Sequence, residues 1–221
     1  MSGRDADMRG PWKALALVTA ALLLVWAPTE SLAGPATDQV KESVDQVIKI
    51  LTDPTLKGEK KVQERRAKIR QVVLQRFGFT EMSKRALGRY WNERNPEERT
   101  EFVRLFTDLL ERAYIERVDG YTGEQVVYLG ESVDGDYSEV RSKIVTKRNQ
   151  ETPITYRLQK ASSNWEVYDV IVEGVSLVNN YRTQFSKIIR TSSYQELLKK
   201  MQMKLEGEEA GDLGAPKPKV R

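Results

Sequence analysis

The chain has 221 residues, a formal net charge of +4, 31% charged residues, and neither cysteine nor histidine. Those absences exclude a thiol nucleophile, a Ser-His-Asp triad and a His-ligated metal, leaving carboxylates, Lys, Tyr and Ser as possible catalysts. Charges of both signs are interspersed, so the mild basic excess reads as a solubility feature, and no nucleic-acid surface is expected.

At the N-terminus, Arg9 and Lys13 precede an apolar run over residues 14–27. Ser31-Leu32-Ala33 then supplies small residues at the −3 and −1 positions of a cleavage site. Residues 1–33 therefore read as a secretory signal peptide, too short for a comfortable membrane span. The alternative is an uncleaved signal anchor. Asp5 and Asp7 sit oddly in its basic region, and Met8 gives a cleaner start. The mature chain is expected to begin at Gly34. Being exported without cysteine, it must be held by its core alone.

Residues 35–52 read as a first helix, with Thr37 as N-cap and Val40, Val44, Val47, Ile48 and Leu51 on one stripe. Asp53-Pro54 ends it. Residues 58–77 read as a second helix, rich in Lys and Arg, which Val62, Ile69, Val72 and Val73 attach to the core. Its basic run reads as a solvated face, with a docking face as the alternative. A short helix follows over residues 80–88, with Thr80 as N-cap. Asn95-Pro96-Glu97-Glu98 is a strong helix start: Asn at the cap, Pro first, Glu third. The helix runs to about Tyr121. Its apolar stripe is Phe102, Leu105, Phe106, Leu109, Leu110, Ala113 and Tyr114, wide enough for a core or for a lipid-facing wall.

From Gln125 the period changes to two. Residues 125–129 read as a short strand ended by a turn at Gly130, and residues 137–146, 154–160 and 165–172 as three more. Val140 and Ile144 share one face, as do Ile154, Tyr156 and Leu158. In the last strand Trp165, Val167 and Ile171 fall on one side and Tyr168, Val170 and Val172 on the other, the pattern of a strand buried on both faces. Glu173-Gly174 breaks the alternation, Ser176 caps a helix over residues 176–189, and a final helix covers residues 194–205. After Gly207 the composition is that of a disordered tail. The fold class is α+β: a curved antiparallel sheet of about four strands, covered on one face by helices, with an apolar pocket between them. The chain divides into the signal peptide (1–33), the α+β domain (34–206) and the tail (207–221).

One carboxylate pair invites a catalytic reading. Asp169 and Glu173 sit in or beside the last strand and would suit general acid/base work. Strand geometry places them about 13 Å apart unless the chain bends. The competing reading is that Asp169 pairs with a nearby Arg or Tyr while Glu173 faces solvent. No phosphate-binding glycine loop or metal cluster is present.

Several segments together resemble a known family. Ala86-Leu87-Gly88-Arg89-Tyr90-Trp91, Glu101-Phe102, Trp165-Glu166-Val167-Tyr168-Asp169-Val170, Glu173-Gly174-Val175-Ser176-Leu177 and Asn180-Tyr181-Arg182-Thr183-Gln184-Phe185 are similar, in this order, to MlaC. That is the toluene-tolerance family of periplasmic phospholipid carriers. A hopanoid-associated branch of the family is also similar. The resemblance covers residues 38–205 and leaves the tail out. It implies a periplasmic monomer, not an enzyme, that needs no cofactor and carries phospholipid as cargo. The implied partners are an inner-membrane MCE-type ABC transporter complex and an outer-membrane lipoprotein/porin complex, in a system that maintains outer-membrane lipid asymmetry. Each acyl CH₂ taken from a bilayer must be matched by apolar contact worth ~0.8 kcal/mol. The wall residues expected to supply it are Phe102, Leu105, Phe106, Leu109, Leu110 and Tyr114 from the long helix. Val140, Ile144, Tyr156, Val167 and Val175 are expected from the sheet and its corner, and Tyr181 from the helix after it.

Overall fold

The computed structural model describes residues 34–208, 213 and 214; the expected signal peptide lies outside the described residues. Helices α1 (Pro35–Thr52), α2 (Val62–Arg76), α3 (Phe79–Leu87) and α4 (Pro96–Asp119) come first. Strands β1 (Gln125–Asp134), β2 (Tyr137–Val145), β3 (Glu151–Ala161), β4 (Asn164–Val172) and β5 (Val175–Ser176) follow, and α5 (Leu177–Thr191) and α6 (Tyr194–Glu206) close the domain. The sheet is an antiparallel meander in sequence order, β1-β2-β3-β4-β5. The expected α+β class and helix-covered sheet are present, with a fifth, two-residue strand added at the corner.

Local chemistry explains where the elements start and where they depart from expectation. The Asn95 side chain accepts the Glu98 N–H at 2.8 Å, and the Glu98 carboxylate accepts the Asn95 N–H at 3.0 Å, the reciprocal cap foreseen for α4. At α1 the cap is Gly34 rather than Thr37, because Pro35 takes the first helical position. The Thr37 N–H instead points at Glu131 Oε2, 2.7 Å away on β1. A Cβ on Gly34 would lie 2.7 Å from that carboxyl group, so a larger residue there would have to displace it from the Thr37 N–H. The basic segment begins as a short 3₁₀ turn, Glu59–Lys61, before α2 proper. Gly78, not Thr80, precedes α3. Gly130 is no turn: β1 runs on to Asp134, and the register slips by one residue between Tyr128 and Gly130 in a bulge.

A second bulge changes the reading of β4. Arg157 pairs with Asp169 and Leu158 with Val167, which leaves Tyr168 as the extra residue. The alternation changes phase at that point, so Trp165 and Val167 share the inner face with Val170 and Val172 rather than opposing them. Asp169 and Ile171 take the other face. Beyond Val172, Glu173 (φ 50°) and Gly174 (φ 80°) make a two-residue turn with both φ values positive, and Val172 pairs with Val175 across it.

Two cores result. The larger lies among the helices, where Phe102, Leu105, Phe106 and Leu109 of α4 meet Tyr181 and Phe185 of α5 and Leu197 and Met201 of α6. Phe106 and Tyr181 are edge to face at 5.2 Å, Phe102 and Phe185 at 5.6 Å. Leu213, within the stretch expected as tail, is 2% exposed and belongs to this core, and Gly214 exchanges hydrogen bonds with the Gln184 side chain. The smaller core is α1 on the sheet, where Ala36 and Val40 cover Val140, Leu158, Trp165 and Val167. Arg76 at the end of α2 locks this arrangement, donating to Gln39, Ser43 and the Trp165 carbonyl.

Candidate functional site

Helix α1 covers only part of the inner sheet face. Beyond it, Ile144, Ile154, Tyr156, Val170 and Val172 form the floor of an open-mouthed apolar cavity of about 360 Å³. They are neighbours by register: Tyr156 opposes Val170 and Ile154 opposes Val172. Val73, Leu74 and Phe77 at the end of α2 wall one side, with Phe79 and Met82 of α3 beside them. Helix α4 supplies the opposite wall through Thr107, Leu110, Glu111, Tyr114, Ile115 and Val118, a stripe at i, i+3, i+4, i+7 spacing. The volume falls in the range of ligand-binding cavities, and the lining is apolar with few polar groups, as such sites require.

Ion pairs bridge the mouth between α2 and α4. Arg65 and Arg66 both bind Asp119, at 2.9 and 2.7 Å. Arg70 binds Asp108 at 2.9 Å and also Glu111. Burial opposes ionisation of Asp119, but the hydrogen bonds from Arg66 and Arg65 outweigh it and hold the carboxyl below its usual value. Much of the basic character of α2 thus faces its acidic partner helix rather than open solvent. The backbones of α2 and α4 hardly approach each other. What joins them across the mouth is charge.

A second, polar cleft of about 490 Å³ lies beside the β4–α5 junction, lined by Lys84, Arg85, Trp91, Arg157, Asp169 and Arg182 among others. Asp169 is 4% exposed. Its Oδ2 accepts from the Ser176 hydroxyl at 2.6 Å and its Oδ1 from the Val178 N–H at 3.0 Å, with Arg157 3.8 Å away. Both oxygens are engaged in holding the start of α5. Glu173 sits in the turn. The two carboxylates form no pair, and among the described residues no cluster of acidic side chains could hold a metal.

The residues singled out from the sequence divide among four places. Leu110, Tyr114, Ile144 and Tyr156 line the cavity. Phe102, Leu105, Phe106, Leu109 and Tyr181 are in the helical core, and Val140 and Val167 lie beneath α1. Val175 pairs with Val172 in the corner and does not reach the lining. Sequence reasoning did not single out Ile154, Val170 and Val172 on the floor, nor, on the walls, Val73, Leu74, Phe77, Thr107, Ile115 and Val118. The spacing of the last three with Tyr114 on one helical stripe was the available signal.

Comparison with known proteins agrees with this architecture. A family model described as MlaC protein matches residues 41–203. The chain is 25% identical over 123 residues to the intermembrane phospholipid transport system binding protein MlaC of Haemophilus influenzae, covering 53% of this chain and 58% of that relative's length. It is also similar to the solved structure of a phospholipid-binding protein from Ralstonia solanacearum in complex with a phospholipid. There the TM-score is 0.69 at 26% identity, over 78% of this chain and 99% of the other.

Proposed function

The chain belongs to the MlaC protein family, and from that premise we propose that it is a phospholipid carrier whose cargo hides its acyl chains in the cavity between the sheet and helices α2 and α4. The observation that carries this reading is the uncovered apolar floor, Ile144, Ile154, Tyr156, Val170 and Val172. Apolar surface lining an open cavity has a driving force to be covered, and an acyl chain would supply the cover without directional demands. A headgroup would remain at the mouth among the Arg and Glu side chains.

In this reading the protein works in the periplasm after loss of residues 1–33. It receives lipid from one membrane complex and delivers it to another, the inner-membrane MCE-type ABC transporter and an outer-membrane lipoprotein/porin complex. It acts as a monomer without a cofactor and performs no chemistry on its cargo. The engagement of Asp169 in the α5 cap supports the last point.

Organic extraction of the purified protein followed by mass spectrometry tests the proposal, together with uptake of lipid from vesicles. Phospholipid at near one per protein is expected. Protein that is repeatedly recovered without lipid, and that takes none from vesicles, would overturn it.

A further inference from the structure

Of helices α1 to α6, α5 alone carries no acidic residue; its charges are Arg182, Lys187 and Arg190. Asn179, Arg182, Thr183, Ser186 and Arg190 recur at i, i+3, i+4, i+7 and i+11, a polar stripe opposite the buried Tyr181, Phe185 and Ile188. The stripe lines a polar recess of about 380 Å³, which shares Asn179 and Arg182 with the larger cleft beside the β4–α5 junction. That cleft adds Lys84, Arg85 and Arg157. Its single acidic lining residue, Asp169, has both oxygens committed to the start of α5.

Cations elsewhere are matched, Arg65 and Arg66 by Asp119 and Arg94 by Glu98. Within the cleft Arg85 pairs with Glu81, and Arg157 with Glu139. The exposed Arg182 and Arg190 side chains meet no acidic side chain among the described residues. Arg182 lies against Gly88 at the end of α3, where an added Cβ would come within 3.0 Å of its Nε, so its unmatched charge belongs to the cleft. Trp91 is beside it, and the Arg85 guanidinium lies 3.9 Å from the centre of the Tyr168 ring. Trp, Tyr and Arg in a recess are the side chains that most often dominate protein–protein contacts.

We propose that the two joined recesses are the docking site for an extended, carboxylate-rich segment of a partner protein. From Asn179 to Arg190 the stripe is about 17 Å long, the reach of about five extended residues. Acidic side chains of such a segment supply what Arg182 and Arg190 lack. The headgroup of a cargo in the cavity is not the occupant, because neither recess shares a lining residue with the apolar cavity. Asp169 also lies on the sheet face opposite Val170. A flat membrane surface cannot follow the cleft down to Trp91, which is 9% exposed, whereas the side chains of a peptide can. The inference stands independently of the carrier reading.

A fluorescent pentaglutamate peptide is titrated against the native protein, Arg182→Glu/Arg190→Glu, and Lys57→Glu/Lys60→Glu. The last makes the same charge change outside both recesses. Melting temperature and binding to phosphatidylglycerol vesicles are measured for each. The native protein is expected to bind the peptide, more weakly as salt rises. Affinity should fall about tenfold in the α5 variant and less than about twofold in the other. Should the α5 variant melt lower, Arg182→Gln decides in its place, with about a threefold loss expected and an unchanged affinity counting against the site. No peptide binding by the native protein, or a loss in the Lys57 and Lys60 variant that matches the one in α5, would overturn the inference. Vesicle binding that depends on Arg182 and Arg190 without any peptide binding would overturn it too, and would give the face to a membrane.

Discussion

Asp169 Oδ1 accepts the backbone N–H of Val178 at 3.0 Å, so a carboxylate within β4 holds the first turn of the helix that leaves the sheet. Removing it orphans the buried Val178 amide and takes away the acceptor of the Ser176 hydroxyl. Asp169→Ala should lower stability by about 1–3 kcal/mol in chemical denaturation while the folded fraction keeps its lipid uptake. Lost uptake at unchanged stability would give Asp169 a role in handling the ligand.

Filling the cavity and emptying the core should separate capacity from stability. Val170→Trp places bulk on the cavity floor and should sharply reduce vesicle-to-protein lipid transfer at nearly unchanged melting temperature. Phe106→Ala opens a void in the helical core, and should cost about 3–5 kcal/mol of stability without selectively blocking transfer. The contrary pattern would move the binding surface to the helical core.

The clasp at the mouth should be felt in rates. Partly exposed ion pairs contribute about 0.2–1 kcal/mol each and weaken with salt. Arg70→Ala, which removes contacts to both Asp108 and Glu111, should therefore speed exchange of bound fluorescent lipid about two- to fivefold. High salt should speed the native protein more than the variant, which keeps only the Arg65 and Arg66 pairs to Asp119. Identical salt dependence in the two proteins would remove the clasp from the exchange step.

Acid should act on the same rim. Because the carboxyl of Asp119 is held below its usual value in the folded protein, its contribution is fully present above the ordinary value of 3.8. It is lost as pH falls through the lower, folded value. Stability should decline below about pH 4, and Asp119→Asn should flatten that part of the curve. An unchanged acid limb in the variant would count against the Arg65 and Arg66 pairs.

At the other end of the sheet, Gly34→Ala should destabilise by about 1–3 kcal/mol, because the added Cβ meets the Glu131 carboxyl group at 2.7 Å. Melting curves of protein beginning at residue 34 would show it.

How much of this was legible in the sequence depended on how local each cause is. The reciprocal cap at Asn95 and Glu98 is written within four residues and was readable. The phase change at Tyr168 was not, since a bulge is decided by the partner strand, and strict alternation then placed Val167 and Val170 on opposite faces. Helix α4 shows the same limit for the site. Its strongest apolar stripe, Phe102 to Leu109, is consumed by α5 and α6. The cavity stripe lies roughly 150° around the helix and is interrupted by Thr107 and Glu111. Periodicity ranks faces by apolar content, so it found the permanent core and underrated the wall that faces the open cavity. The ionic rim was visible only as a basic run, because its acidic partners lie 38 to 54 residues away in sequence.

Two carboxylates from the sheet, Glu131 and Asp169, grip the starts of α1 and α5. Among the described residues no such carboxylate-to-backbone tether fastens α2 to α4, which meet beside the cavity through partly buried side-chain ion pairs. The molecule is therefore built as a rigid frame with a compliant door. Under the proposed function, cargo of differing chain length would be admitted by letting the door stand wider, with the frame's hydrogen bonds left as they are. A carrier of that kind would have its softness where the cargo passes and its stiffness in the frame.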